Sequence, residues 1–303
     1  MTVAPRRRPY AAKVSAAPPT RRHRYERLGW IPFVACHFVW LGVFWSGIDW
    51  TSVVVFALLY WGRMFAVTAG YHRYFAHRSF QTSRVFQALL AFGATLSIER
   101  GPLWWAAHHR AHHLRSDTEA DVHSPRQHGF LHAHVGWFFS GNAETDLRRV
   151  RDLAKYPELR WMDRHPFVAP TVVSLLILAA FGWPSFFFGW SLSSILVWHG
   201  TFTVNSLAHV WGTRRYETGD DSRNNVLLAL LTCGEGWHNN HHRYMTSARM
   251  GHRWWEIDLT WYGLLALERL GLIWNLKPVP ARILDEARSE APAVAAPLRA
   301  PSS

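Results

Sequence analysis

Two cysteines, Cys36 and Cys233, are all that 303 residues contain. That number excludes a disulfide framework and a four-cysteine iron–sulfur site within the chain, so any electron carrier is a separate protein. No His-Glu-x-x-His sequence occurs, which argues against a zinc protease. Charge is scarce in particular places. Trp30 to Ile48 carries no Asp, Glu, Lys or Arg, Thr51 to Tyr71 carries only Arg63, and Pro166 to Thr213 is 48 residues without any.

A helix needs about 20 apolar residues to cross a bilayer, so the last run is long enough for two crossings, and Gly182-Trp183-Pro184-Ser185 supplies a turn between them. Mean hydropathy near zero, at -0.09, is then a mixture of membrane spans and polar connectors. The expectation is an all-α integral membrane protein with four transmembrane helices, at about 30–48, 51–71, 167–181 and 186–210. A helical cytoplasmic cap would be built from 72–165 and 211–276. Tryptophans at positions 30, 45, 50, 183, 190 and 211 flank the runs, as interfacial belts would.

Residues 1–29 read as a disordered basic tail, and 277–303 as a Pro/Ala-rich tail disordered at its end. Arginines before the first span place the amino terminus in the cytoplasm, and four crossings return the carboxyl terminus there. The preferred location is a bacterial inner membrane rather than the endoplasmic reticulum. A net charge of +12 clusters in the amino terminus and the connectors, which favours anionic lipid headgroups or an acidic partner over nucleic acid. Val85 to Ile98 is apolar but too short to cross, a charged helix is expected near Asp146 to Lys155, and Leu259 to Leu276 alternates in helical fashion.

Histidine is what the chain has in excess. His109-Arg-Ala-His112-His113 and His238-Asn-Asn-His241-His242 share one spacing, and His72 and His77 form a His-x4-His pair. Three and four residues apart on a helix, imidazoles share a face and can converge on a metal. His72 and His77 are about 140° apart on an ideal helix, so they reach one centre only where the helix ends or bends. Asn205 and His209 lie four apart at the end of the last span. An even number of crossings separates the boxes, so all these candidates fall on one side of the membrane.

Nine imidazoles, at 72, 77, 109, 112, 113, 209, 238, 241 and 242, exceed what one tetrahedral zinc needs and argue for two metals of higher coordination number. Imidazole suits iron, copper, zinc or nickel, and spacing does not choose among them. Asp117, Glu119, Asp121 and Glu235 stand beside the boxes and could orient ligand rings. His37 and His199 are assigned a structural role, and His108, His123, His128, His132 and His134 are left out of the ligand set. Trp104, Trp105 and Trp237 are candidate walls of a substrate tunnel near the metals. Arg110 and Arg243 adjoin the boxes, facing a phosphate-bearing headgroup, an acidic electron donor or the neighbouring carboxylates.

His72-Arg-Tyr-Phe-Ala-His77, His109-Arg-Ala-His-His113, Asn205-Ser-Leu-Ala-His209 and Gly234-Glu-Gly-Trp-His-Asn-Asn-His-His242, in this order between hydrophobic spans, closely resemble the membrane-bound fatty acid desaturases, in particular their delta-9 acyl group. The resemblance runs from about residue 30 to 275. It implies a di-iron centre held by the nine histidines, with Asn205 contacting one metal through water. It also implies syn removal of two hydrogens from a saturated acyl chain, with dioxygen reduced to water by two electrons from a separate ferredoxin, rubredoxin or cytochrome b5 and its reductase. His238 opens box three where front-end desaturases typically have Gln, which favours a cis double bond near carbon nine. Ala107-His108 replaces the Arg-Asp pair of many animal acyl-CoA members, so the acyl carrier, CoA or lipid, stays open. The rival readings are an acyl or carotenoid hydroxylase on the same scaffold and a non-enzymatic metal carrier, which would need polar groups along its spans.

Overall fold

The computed structural model describes residues 30–141 and 144–289. The expected tail 1–29 and the end of the carboxyl-terminal tail lie outside the described residues.

Four apolar arms stand side by side. The helix α1 (Trp30–Ser46) is shorter than a full crossing. Next comes α2 (Trp50–Ala76), 27 residues long and apolar enough to cross a membrane. Its start is fixed by a capping box, in which Asp49 Oδ1 accepts from the Ser52 amide at 2.7 Å and Ser52 Oγ accepts from the Asp49 amide at 3.0 Å. The other long apolar stretch, Val168–His209, is broken at Gly182, whose φ of 74° only glycine adopts freely. We name its arms α7 (Val168–Pro184) and α8 (Ser193–Asn205), joined through the π-helical turn Ser185–Leu192.

Side-chain contacts give the direction of each arm. Gly189 abuts Val55 near the start of α2, Arg63 reaches Ser193 and Ser194, and Gly200 abuts Met64. So α2 and α8 run parallel and deliver box one and His209 to the same end. At the opposite end Trp45 of α1 meets Trp183 of α7, ring centroids 5.9 Å apart. Arg63, buried and without a carboxylate partner among the described residues, donates to the Leu59 and Leu96 carbonyls and lies 4.7 Å from the Trp190 ring. It thereby caps the end of α3 (Arg84–Thr95), which starts on Ser83 and packs Leu90, Ala91 and Ala94 into the core.

Box two lies on α4 (Pro102–Arg115). Its first turn is capped from a distance, because Asp163 Oδ1 accepts from the Trp104 amide at 2.8 Å. Gly101 permits that approach: a Cβ there would fall 2.3 Å from Asp163 Cα. Among the other helices are α5 (Phe130–His134), α6 (Pro157–Arg164), α9 (Val226–Leu231), α10 (His238–Arg243) and α11 (Leu259–Arg269). A two-residue ribbon pairs β1 (Gln81–Thr82) antiparallel with β2 (Ile273–Trp274).

Several boundaries differ from expectation. Box one lies at a bent helix end, as expected, but that end is later than residue 71: α2 continues to Ala76 as a π-helix (Ala66–Ala76), with His77 capping it. The charged stretch near 146–155 forms only one turn, Arg151–Ala154, because Pro157 starts a new helix instead. Part of the expected tail is ordered as α12 (Ala281–Ser289), with Ile283 buried beside Tyr216 and Glu286 paired with Arg243. That pairing assigns Arg243 to a carboxylate. Arg110 likewise binds Asp152, at 2.8 and 3.0 Å.

Candidate metal centre

The π-helix explains how His72 and His77 meet. The His77 amide donates to the His72 carbonyl at 3.2 Å, an i→i+5 bond, so residues five apart stack on one face. Both join His109, His113 and His241 in a group whose ligand nitrogens all lie within 4.8 Å of one another, and His112, His209, His238 and His242 form a second such group. The two His-x-x-His-His boxes divide reciprocally. From α4, His109 and His113 enter the first group and His112 the second. From α10, His241 enters the first while His238 and His242 enter the second. The groups adjoin, the His113 and His242 rings being 4.5 Å apart.

Carboxylates fix the rings from behind. Asp117 lies 2.8 Å from His209 Nδ1, Asp121 3.0 Å from His112 Nδ1 and Asp220 2.6 Å from His242 Nδ1, while Glu235 abuts His72 Nδ1. Glu119 is exposed and has no part in this. Asp220 was not foreseen: it stands 22 residues before its histidine, in a loop whose Thr218 and Ser222 hydroxyls bind the same carboxylate. The two asparagines of box three hold the surrounding loops. Asn239 Oδ1 accepts from the Arg215 and Tyr216 amides, and Asn240 Nδ2 donates to the Met250 carbonyl and to Glu256.

The electrostatics suit a cation. With Nδ1 of a ring donating to a carboxylate, Nε2 carries a lone pair. In the first group, His113 Nε2 lies 2.9 Å from both His109 Nε2 and His241 Nε2, and His109 Nε2 lies 2.8 Å from His77 Nε2. Each ring nitrogen directs one proton or one lone pair along its plane, so the hydrogens of these rings cannot pair them all in linear geometry. In the second group, His242 Nε2 is buried with no hydrogen-bond partner. Burial, reinforced by neighbouring imidazoles, pushes His109, His113, His238 and His241 far below the usual range and keeps them in the neutral, ligating form. Burial lowers His242 to about 4 despite the pull of Asp220. Burial opposes the charge on Asp117, but hydrogen bonds from His209, Ser124 and the Asp221 amide outweigh it and hold the carboxyl well below its ordinary value. The donor set fits metal ions in both groups.

One narrow cavity borders both groups. His72, His109, His112, His238 and Asn205 form one side of it, and Val67, Trp104, Trp105, Phe138 and Phe202 are among its other lining residues. Trp105 stacks on His109 at 4.9 Å. Trp237, expected in the wall, lies outside the cavity. It packs on Ala229 and Met250, and its Nε1 donates to the Ile257 carbonyl at 2.8 Å. The reason is local: Gly236 is pressed against α9, where a Cβ would stand 2.1 Å from the Ala229 nitrogen, and Trp237 follows it into that core. Glu99, not singled out from sequence, faces the cavity, accepting from Thr201 Oγ1 at 2.7 Å and Trp105 Nε1 at 3.3 Å. Burial raises its pKa to about 7.

Two histidine groups at the end of long apolar helices, bordering a cavity with apolar walls, define the class, and comparison agrees. The fatty acid desaturase family model matches residues 48–274, and the chain belongs to that family. It is an oxidoreductase, a fatty acid desaturase. Among its relatives, the sn-1 stearoyl-lipid 9-desaturase of Anabaena variabilis is 39% identical over 77% of this chain and 86% of its own. The sn-2 palmitoyl-lipid 9-desaturase of Nostoc sp. (strain 36) is 36% identical over 74% and 81%. The acyl-CoA C20 Delta5-desaturase of Anemone leveillei is 38% identical over 78% and 77%.

Proposed function

We propose that this chain introduces a cis double bond at carbon nine of a saturated acyl chain, carried on a lipid or on coenzyme A. His72, His77, His109, His113 and His241 would hold one iron ion and His112, His209, His238 and His242 a second, with Asn205 placed to contact one of them through water. The observation that carries this reading is the cavity, walled by Val67, Trp104, Trp105, Phe138 and Phe202, that borders both groups. Iron bound there would supply, with dioxygen, the oxidant for an unactivated C–H bond. The chain's own residues do the rest. Carboxylates at Nδ1 orient the ligand rings, and apolar walls exclude water and hold methylenes beside the metals. Methylenes offer no hydrogen-bonding handle, so the position of the double bond is set by cavity shape and by the distance to the held headgroup. The two relatives named as 9-desaturases support carbon nine.

Four crossings would place the centre and both termini in the cytoplasm, preferably at a bacterial inner membrane. Four side-by-side apolar arms and the parallel course of α2 and α8 support this, since box one and His209 then emerge on one face. Two electrons per double bond would come from a separate ferredoxin, rubredoxin or cytochrome b5 with its reductase, in keeping with only two cysteines.

The test is gas chromatography and mass spectrometry of total fatty acids from cells expressing the wild type or His241→Ala, with dimethyl disulfide adducts locating the double bond. A new monoene at carbon nine, absent from the variant, is expected. A hydroxylated product would move the chain to the hydroxylases that share this scaffold.

A further inference from the structure

Three histidines outside the metal centre form a hydrogen-bonded row between α1, α8 and the cap. His37 Nδ1 lies 2.7 Å from the Phe33 carbonyl oxygen, and its Nε2 lies 3.0 Å from His199 Nε2. His199 Nδ1 lies 2.9 Å from His134 Nε2, and His134 Nδ1 lies 2.9 Å from Ser206 Oγ. Ser206 Oγ in turn donates to the Phe202 carbonyl at 2.9 Å. The row therefore begins and ends on carbonyl oxygens, which only accept.

Proton counting gives the consequence. Five links in series need five protons, whereas three neutral imidazoles and one hydroxyl carry four. One further proton gives every link its donor. Without it, two acceptors face each other somewhere along the row at hydrogen-bond distance, lone pair against lone pair, which is unfavourable. The surroundings are aromatic: Phe33 and Trp198 flank His37, and Phe202 meets His199 and His134.

We infer that His37, His199 and His134 together hold one proton beyond neutrality, and that this shared proton clamps α1 onto α8 and the cap. Among the described residues no carboxylate, lysine or guanidinium pairs with any of the three rings. On α1 the only other titratable side chain is Cys36, which is exposed. Between Ser193 and Asn205, α8 offers His199 alone. On α5, His132 lies 3.2 Å from the Val122 carbonyl. Burial by itself pushes His134 down, toward the neutral ring, so the charge rests on completing the row. The clamp also backs the acyl cavity. His134 meets Phe202 edge-on at 5.7 Å, Phe138 lies 5.0 Å from Phe202, and both phenylalanines line the cavity.

The test uses the full chain, iron-loaded, in lipid nanodiscs with 15N-labelled histidine. At pH 7 an imidazolium signal equivalent to one ring is expected in the wild type and lost in His199→Gln, whose amide cannot take the extra proton. Thermal unfolding supplies a second readout. A folded-state pKa raised above the ordinary histidine value of about 6.5 stabilises fully below that pH and loses its contribution as pH rises through the raised value. The melting-temperature advantage of wild type over variant should therefore shrink between pH 6 and pH 9. No imidazolium signal lost on substitution, or an advantage that grows with pH, would overturn the inference. His37→Gln, at a half-buried position, gives the same two readouts should His199→Gln not fold.

Discussion

The carboxylate of Asp220 lies 2.6 Å from Nδ1 of His242, on the opposite side of the ring from an Nε2 that is buried and has no hydrogen-bond partner. That arrangement fixes the tautomer, since a donor at Nδ1 leaves a lone pair at Nε2. An amide at position 220 could still accept from Nδ1 but would withdraw the charge that raises ligand basicity. Outer-shell changes of this kind typically cost about 10- to 100-fold in metal affinity or activity. Asp220→Asn should lose desaturation to that degree, and iron content at limiting iron should fall with it. Unchanged iron affinity would mean that the loop, not the charge, sets the ring.

The reciprocal division of the boxes makes a second expectation. His113 belongs to the five-histidine group and its neighbour His112 to the group of four. If each group holds one ion, His113→Ala and His238→Ala should each roughly halve the iron bound per chain while abolishing product. Elemental analysis of purified protein decides it. Complete loss of iron from both variants would show instead that the ions bind only as a pair.

How legible this centre is in the sequence depends on the distance over which each contact acts. The two His-x-x-His-His boxes stand out by spacing, because i,i+3 and i,i+4 relations are local, whereas His209 has only Asn205 beside it and His72 and His77 are five apart. The division of the histidines into two groups is not local: it depends on how α4 and α10 face each other, and nothing in His-x-x-His-His tells which ring points where. His72 and His77 are awkward in an ideal helix, and the solution adopted, a π-helix, is a departure that functional sites often show. Asp117, Asp121 and Glu235 are visible as acids close to boxes, whereas Asp220 is brought to His242 by a loop. Trp237 was placed by proximity to box three, and tertiary packing of Gly236 turned it into another core. The arms were visible as charge-free runs, but the docking of α12 through Ile283 was hidden by a proline- and alanine-rich composition.

Glu99 is a carboxyl in an apolar cavity, and burial raises its pKa to about 7, against the hydrogen bonds from Thr201 and Trp105. Between the ordinary value of 4.5 and about 7 the folded chain keeps a proton that the unfolded chain releases. Stability therefore falls as pH rises through that window, and the whole penalty is present above it. Glu99→Gln carries no charge and retains an oxygen to accept from Thr201. The variant should melt close to wild type near pH 5 and above it at pH 8, by an amount on the order of 1–3 kcal/mol. Thermal unfolding in nanodiscs at the two pH values reads this directly. A variant less stable at pH 8 would mean that the ionised carboxylate has a partner stronger than the two neutral donors.

Arg73 sits between the histidines and the loops that carry their supports. Its guanidinium, 1% exposed, donates to Asp258 at 2.9 and 3.1 Å, to Glu235 at 3.3 Å and to the Ala248 carbonyl at 2.7 Å. Glu235 in turn abuts His72, and Asp258 caps α11 by accepting from the Trp261 amide at 2.9 Å. One side chain of box one thus ties His72, the entry to box three and the helix after it. A lysine can reach one of these acceptors but cannot present the planar fork that serves them together. Leaving a buried carboxylate without its partner costs about 3–5 kcal/mol. Arg73→Lys should therefore lower the unfolding temperature and the iron content together, whereas Asp220→Asn lowers iron affinity with little change in folding. Comparing melting curves and iron content of the two variants separates a residue that builds the scaffold from one that tunes a ring, and an Arg73→Lys protein of wild-type stability would show that Asp258 and Glu235 are held by their remaining hydrogen bonds.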